Sequence, residues 1–377
     1  MDMSQLRNQI DEIDDKIVEL FKERMEIVTG VAEYKKQNNM PIFHRGRERD
    51  IINRVTKQVP HEMAVYTKTL YNTLFEVSRA YQSKKINDTS DLAEKIKESL
   101  ETTPKIIPQN AIVACQGTEG AYSEQAAEKL FSNPSVMYFN NFRGVFEAVN
   151  EGMCKYGVLP VENSIHGSVT EVIDLMSEYD FNIVHSVKIQ INHVLLAKKG
   201  TKEIKEIFSH RQGIGQCEKY LKTLKGVKIT PVENTAVAAK MVAESERDDV
   251  ASISSPLCGE LYGLQIVKSN IKDSDNNYTR FICISKDMEV YPGADRMTVM
   301  LKLKHEPGSL YNLISKFAAV GVNLTKIESR PICGLDFEFM FLLDMNISVY
   351  SDEIISLLTD LENTTDGFVF LGAYSEN

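Results

Sequence analysis

From Gln5 to about Gln37 the apolar residues Leu6, Ile10, Ile13, Ile17, Leu20, Phe21, Val28 and Val31 recur at helical spacing, with no proline among them. At about 1.5 Å per residue this helix is about 50 Å long. One small domain cannot cover a stripe of that length, so a partner helix is expected, from a second chain. Pro41 ends the pattern. A second helix is predicted from about Gly46 to Gln58 and a third from near Glu62 to about Lys84, so the first 84 residues read as all helix.

A length of 377 residues exceeds what one hydrophobic core usually supports, and the pattern changes twice more along the chain. Residues 85–109 are polar and punctuated (Lys85-Ile86-Asn87-Asp88, then Glu101-Thr102-Thr103-Pro104) and read as a linker. Between 110 and 287 short apolar runs, Ala111–Cys115, Tyr156–Pro160, Ile183–His185 and His193–Ala197, alternate with helical stretches, which predicts an α/β domain. Residues 295–377 read strand (Met297–Lys304), helix (Ser309–Val320), strand (Val322–Glu328), strand (Phe337–Asp344), helix (Ser351–Leu361), strand (Phe368–Tyr374). That is the βαββαβ order of an α+β ferredoxin-like unit.

The formal charge of −10 argues against a nucleic-acid partner, which needs a basic face. Cations that hold an anionic ligand must then be placed locally. No apolar run approaches the roughly 20 residues of a membrane span, and the N-terminus lacks the apolar core of a signal peptide. A cytoplasmic protein with no membrane attachment is expected. The six cysteines (115, 154, 217, 258, 283, 333) form no C-x-x-C pair and read as reduced core residues. No metal or other cofactor is expected.

Arg24 and Lys35 are eleven residues apart, about 20° of rotation and about 16 Å of rise along the first helix. They share a face, and their long side chains could grip a small dianion. Arg7 lies about 25 Å before Arg24 and is rotated by roughly 100°, so it cannot reach that ligand in the same chain but can in an antiparallel partner. Ser78 and Gln82 share a face of the third helix, and Arg47-Glu48 open the second. Any one of these is also readable as a solvated surface group. As a set, Leu6-Arg7, Ile10-Asp11, Glu23-Arg24, Ala32-x-x-Lys35, Pro41, Arg47-Glu48-Arg49 and Ser78-Arg79-x-x-Gln82 closely resemble the all-helical chorismate mutases.

That resemblance implies an intertwined dimer that rearranges chorismate to prephenate without covalent catalysis, by holding the reactive conformer and stabilising charge on the ether oxygen. It implies that Arg7 of the partner subunit, Arg24 and Arg47 bind carboxylates. Lys35 and Gln82 would donate to the ether oxygen, Glu48 would meet the ring hydroxyl, and Ser78 would line the pocket. His44 stands where the family usually carries an acidic residue, which implies a pH dependence of its own.

Several middle segments are rich in small polar residues that an α/β core does not need: Gly117–Ser123, Pro160–Ser164, Gly167-Ser168-Val169, Ser209-His210-Arg211-Gln212 and Asn277–Phe281. Backbone NH groups beside Gly and Ser at strand-to-helix turns bind carboxylates well. Each alone reads as a cap or turn. Together, over roughly residues 111–285, they resemble prephenate dehydratase, with Glu162-Asn163-Ser164 and Thr279-Arg280-Phe281 the most specific parts. The fold implied is two α/β lobes around a cleft, like a periplasmic binding protein. There prephenate loses carbon dioxide and hydroxide, with Thr279 as a polarised donor to the departing oxygen. Ser123, Glu162, Asn163, Ser164, Ser209, His210, Asn234, Arg280 and Phe281 are the expected substrate-binding residues, with His210 readable either as a general acid or as a structural hydrogen-bonding group. Arg211 and Thr118 replace prolines usual in the family.

His305-Glu306-Pro307-Gly308-Ser309-Leu310, Gly321-Val322-Asn323-Leu324 and Glu328-Ser329-Arg330-Pro331 look like the regulatory ACT module attached to prephenate dehydratases. The resemblance implies an L-phenylalanine effector site at Gly308, Ser309, Leu310, Asn323, Leu324, Glu328, Ser329 and Arg330; a plain dimerisation unit is the bland alternative. The expected assembly is a homodimer or homotetramer. Two rivals fit less well. A fusion with a prephenate dehydrogenase needs a dinucleotide site, and Gly213-Ile214-Gly215 lacks the third glycine of G-x-G-x-x-G. A solute-binding or sensing protein would usually show a signal peptide or a basic DNA-reading helix.

Overall fold

The computed structural model describes residues 2–38, 40–86, 90–303, 305–332 and 339–377. Asp2 starts the first helix, α1 (Met3–Gln37), with a reciprocal capping box: its carboxylate accepts from the Gln5 N–H at 2.8 Å and the Gln5 side chain accepts from the Asp2 N–H at 3.1 Å. A helix α2 (Arg45–Thr56) and a helix α3 (Ala64–Ile86) follow, close to the predicted limits. α1 and α2 both pack on α3, burying Val28, Ala32, Val55 and Phe75. The rest of the α1 stripe stays uncovered within the chain, from 38% exposed at Phe21 to 63% at Leu20.

The expected linker instead contains an amphipathic helix, α4 (Asp91–Thr102). Ser90 caps it, accepting from the Ala93 N–H at 3.0 Å. Leu92 and Ile96 enter the core of the C-terminal domain beside Leu313, Phe317 and Leu361. Burying each such side chain is worth about 1.5–3 kcal/mol, which is why this short polar stretch folds against its neighbour. Asn87 and Asp88 lie outside the described residues.

The middle domain has two lobes. The first is built from β1 (Asn110–Gln116), α5 (Tyr122–Leu130), β2 (Asn133–Phe139), α6 (Phe142–Asn150), β3 (Tyr156–Asn163), β4 (Gly167–Ser168), α7 (Thr170–Met176) and β5 (Asn182–Gln190). The second holds β6 (Val194–Ala197), β7 (Glu206–His210), α8 (Arg211–Gln216), α9 (Glu218–Leu221), β8 (Lys228–Val232), α10 (Thr235–Glu244), β9 (Val250–Ser254), α11 (Pro256–Leu261) and β10 (Gln265–Lys268). The chain then returns to the first lobe as β11 (Tyr278–Ser285), inserted antiparallel between β3 and β5. The sheet orders are β2-β1-β3-β11-β5, with β4 beside β3, and β10-β6-β9-β7-β8. Two crossings join the lobes, and Thr279 sits on the returning strand.

The C-terminal domain has the expected βαββαβ order: β12 (Arg296–Leu303), α12 (Ser309–Ala319), β13 (Asn323–Pro331), β14 (Phe339–Asn346), α13 (Asp352–Thr364) and β15 (Val369–Tyr374), with sheet order β13-β14-β12-β15. Lys304 and Phe337, expected in two of these strands, lie outside the described residues. This domain shares a core with the first lobe, in which Leu159, Ile282 and Ile284 meet Met300, Leu342, Leu371 and Tyr374. At Gly372, on β15, an added Cβ would come within 2.2 Å of the Ile183 carbonyl oxygen, so glycine permits that approach. The C-terminal tail extends the first sheet: Ser186 N–H donates to Ser375 O and Asn377 N–H to Ser186 O, both at 3.0 Å.

Five cysteines, Cys115, Cys154, Cys217, Cys258 and Cys283, are buried and unpaired by disulfides; Cys333 lies outside the described residues. Among the described residues no helix is long and apolar enough to cross a membrane.

Candidate active sites

In the helical domain three helices bring five of the expected residues together. Arg24 donates to Ser78 Oγ and to the Leu74 carbonyl, the latter at 3.3 Å. Lys35 Nζ donates to Gln82 Oε1 at 3.0 Å and to the Ile42 carbonyl at 2.5 Å. Along α1 the two cations are about 16 Å apart, whereas Ser78 and Gln82 are a single turn, about 6 Å, apart on α3. Their side chains therefore lean toward each other, and Ser78 and Gln82 are buried beneath them. Burial pulls the Lys35 ammonium below the usual lysine range, partly offset by the Glu48 carboxylate.

Glu48 is ion-paired with Arg79, whose guanidinium also lies 5.3 Å from the centre of the Phe43 ring. Arg79 was visible in the Ser-Arg-x-x-Gln motif but not singled out for this contact. His44 is the N-cap of α2, its Nδ1 accepting from the Arg47 N–H at 3.1 Å. Arg47 and Arg7 are exposed, and Arg7 lies near the far end of α1, as the helical arithmetic requires.

The second site is a cleft of about 550 Å³ between the lobes, a size suited to a small organic ligand. Its lining includes Ser123, Asn163, His210, Asn234, Thr279 and Phe281 of the expected set. Among the described lining residues there is no lysine or arginine; two exposed carboxylates, Glu171 and Glu233, are present instead. The first turns of α5, α6, α7 and α10 contribute Ser123, Phe142, Thr170 and Thr235. Helix N-termini offer free N–H groups and a positive dipole end, so an anion can be held there without a formal cation.

Asn163 and Thr279 oppose each other on β3 and β11. Asn163 Nδ2 donates to Thr279 Oγ1 at 3.0 Å and to Asn277 Oδ1 at 2.9 Å, while its Oδ1 accepts the N–H groups of Ile165 and His166, each at 3.0 Å. With its amide oriented by these four contacts, Asn163 acts as donor to Thr279. One lone pair of that hydroxyl is engaged and its proton is left for the cleft.

Beside this pair, His193 Nε2 is 2.8 Å from Gln216 Oε1, and Gln216 Nε2 is 3.3 Å from His166 Nδ1. Burial drives His193 down to about 4, opposed by its bond to Gln216. Its Nδ1 is buried without a partner among the described residues. His166, His193 and Gln216 were missed from sequence: each comes from a different loop or helix, and although His166 stands between the Glu162-Asn163-Ser164 and Gly167-Ser168-Val169 segments, nothing local ties it to the other two.

Four expected cleft residues are elsewhere. Strand alternation points Thr279 and Phe281 into the cleft and Arg280 to the opposite face. Arg280, Glu162 and Ser164 line a separate cavity of about 340 Å³ against the C-terminal domain. Arg280 pairs there with Asp344 of β14. Ser164 Oγ donates to the Asn276 carbonyl at 2.9 Å and accepts from the Tyr278 N–H at 3.0 Å, tying a turn. Ser209 is fully buried and donates to the Ile253 carbonyl at 2.8 Å. A Cβ at Gly213 would meet its Oγ at 2.8 Å, so that glycine serves close packing. His210 caps α8, its Nδ1 facing the Gln212 N–H at 3.3 Å, which favours the structural reading of this residue.

The expected effector residues are also divided. Gly308 adopts φ 93° ahead of α12 with no side-chain cap, and Leu310 is exposed. Asn323 and Leu324 start β13. Further along β13, Glu328 accepts from Ser168 Oγ at the cleft, and Arg330 makes a two-pronged bond to Asp174 at 2.9 Å. Both side chains thus reach into the first lobe.

Comparison with known proteins gives a family match over each of the two domains. Residues 6–83 match the family described as chorismate mutase type II, and residues 113–289 match prephenate dehydratase. A bifunctional chorismate mutase/prephenate dehydratase from Aquifex aeolicus is 30% identical over 99% of this chain and 98% of its own length. The protein of that name from Escherichia coli strain K12 is 29% identical over 99% and 96%. Among solved structures, prephenate dehydratase of Arthrobacter aurescens in complex with L-Phe superimposes with a TM-score of 0.64 at 28% identity, covering 70% of this chain and 89% of that one. With a cation-bearing helical site at one end and a helix-ringed cleft beyond it, the chain belongs to the family of bifunctional chorismate mutase/prephenate dehydratases.

Proposed function

We propose that the helical domain takes chorismate and that the interlobe cleft takes the prephenate made from it, with each site built from the residues described above. In the first, Arg24 and Arg47, with Arg7 of the partner subunit, hold the two carboxylates of chorismate. Lys35 and Gln82 donate to the ether oxygen as its bond to carbon breaks, and Glu48 meets the ring hydroxyl. Ser78 anchors Arg24. The uncovered apolar stripe of α1 supports a dimer, since burying it requires a helix that the described residues do not supply.

In the cleft, the carboxylate carbon leaves as carbon dioxide, its bonding electrons enter the ring, and the carbon–oxygen bond at the opposite ring carbon breaks. Thr279 donates its hydroxyl proton toward the departing oxygen, polarised by the Asn163 amide. Helix N-termini hold the substrate carboxylates, and Phe281 lines the wall. The observation that carries this reading is the Asn163–Thr279 bond inside a cleft that offers backbone N–H groups in place of cations.

The C-terminal βαββαβ unit is an ACT module that binds L-phenylalanine, by analogy with the Arthrobacter protein bound to that amino acid. The turn at Gly308 places no capping side chain over the first turn of α12, where the Ser309 N–H is taken by the Glu306 carbonyl, and Leu310 supplies an apolar contact. Glu328 touches Ser168 at the cleft, which gives the effector a route to the dehydratase. The five buried free cysteines suit a reducing cytoplasm. The test is an assay of the purified chain with chorismate: prephenate should appear and then give way to phenylpyruvate, more slowly with L-phenylalanine present. Accumulation of prephenate alone would refute the cleft assignment.

A further inference from the structure

We propose that Asp344 of the C-terminal domain is a positioning residue for the dehydratase reaction, holding Thr279 in register through Arg280. The idea rests on Thr279 being the donor in the elimination. Arg280 is covalently next to Thr279, and on β11 the two side chains point to opposite faces of the sheet. A register shift in the β3–β11 ladder falls between Arg280 and Phe281. Such bulges re-aim side chains and loosen the local pairing, so the ladder to β3, the strand that carries Asn163, holds this stretch less firmly than the regular ladder to β5 on its other edge.

What fixes it from behind comes from another domain. The Arg280 side chain is 10% exposed and that of Asp344 is 4% exposed, and the guanidinium meets the carboxylate directly. Asp344 is itself held: its Oδ1 accepts from Thr298 Oγ1 at 2.7 Å, and the Thr298 and Tyr374 hydroxyls are 2.7 Å apart. Thr298 and Tyr374 are both buried. On the other side, Glu162 lies 3.9 Å from Arg280 Nε and 3.6 Å from Lys326. Glu162 is bonded in sequence to Asn163, the residue that orients Thr279. Both members of the Asn163–Thr279 pair therefore have a charged neighbour clamped against the C-terminal domain. A rotation of β11 that misplaced the Thr279 hydroxyl would have to break a buried ion pair. The dehydratase site is in this sense completed by the third domain, independently of any effector.

The experiment uses the full-length protein and measures prephenate turnover, chorismate turnover and the melting temperature. Asp344→Asn should lower dehydratase kcat about 10- to 100-fold, the scale of a small misplacement of a reacting group, while KM changes by less than about 2-fold and the mutase rate stays at wild type. Asp344→Glu should recover part of kcat. The double variant Arg280→Met with Asp344→Leu separates positioning from mere adhesion, because an apolar pair of similar volume commonly keeps or raises stability where an ion pair was buried. It should restore the melting temperature but not kcat. If Asp344→Asn turns over prephenate at the wild-type rate, or if the apolar pair restores kcat together with stability, the proposal is overturned. Should Asp344→Asn fail to fold, the double variant decides alone. A Thr279→Ala variant of full activity would remove the donor assignment and the positioning with it. An inactive Thr279→Ala beside a fully active Asp344→Asn removes the positioning only.

Discussion

Asn163 and Thr279 face each other across two antiparallel strands, with the amide nitrogen of one donating to the hydroxyl oxygen of the other at 3.0 Å. In the proposed reaction this bond orients a weakly acidic alcohol as donor to the departing oxygen. Thr279→Ala is expected to cost the dehydratase about 10²–10³-fold in kcat, the range for loss of one transition-state donor, with the mutase unchanged. Thr279→Ser should keep part of the rate. Steady-state kinetics on prephenate check this, and an alanine variant as fast as threonine would show that the hydroxyl has no part in the elimination.

Lys35 predicts an alkaline limit to the mutase. It must be protonated to donate, and burial lowers its pKa from the ordinary lysine value. As pH rises through that lowered pKa the donor is lost, so mutase kcat/KM should begin to fall below pH 10.4, the pKa of a typical lysine. Lys35→Arg should move the limb upward, whatever it costs in rate. A pH–rate profile identical in the two proteins would place the titration elsewhere.

His193 gives a prediction about stability. Its folded pKa of about 4 lies below the ordinary 6.5, so the unfolded chain binds the proton more readily. Its neutral-form contribution is fully present above pH 6.5 and is lost as pH falls toward 4, amounting to about 3 kcal/mol at the acid end. Denaturant titrations between pH 7 and 4 should show His193→Asn losing less stability than wild type over that interval. Equal slopes would mean that the imidazole is solvated.

L-Phenylalanine should bind the full-length chain and weaken prephenate turnover with a coupling of about 5- to 150-fold, and substrate must weaken phenylalanine binding by the same factor. Removing the C-terminal domain is a poor test, because Met300, Leu342, Leu371 and Tyr374 complete the core of the first lobe. Leu310→Ala should instead reduce phenylalanine affinity by calorimetry and leave uninhibited kcat intact. Inhibition that stays undiminished in this variant and competes with prephenate would move the effector into the cleft.

Much of the architecture was legible because its signals are local. The period of α1, the change to short strands after residue 110 and the βαββαβ order all survive in the structure. What was not legible depends on partners distant in sequence. Leu92 and Ile96 look like isolated apolar residues in a polar stretch until the C-terminal core receives them. Thr279-Arg280-Phe281 reads as one motif, yet alternation along a strand sends the arginine to a different domain from its neighbours. His166, His193 and Gln216 converge only once two lobes have folded around the cleft.

The central claim is that one chain carries two separate sites, and two variants assayed on both substrates test it most directly. Arg24→Ala should lower chorismate turnover about 10²–10³-fold and leave prephenate turnover at the wild-type rate, while Thr279→Ala should do the reverse. Parallel loss of both activities in either variant would contradict the account, since it would mean that the two reactions share one site.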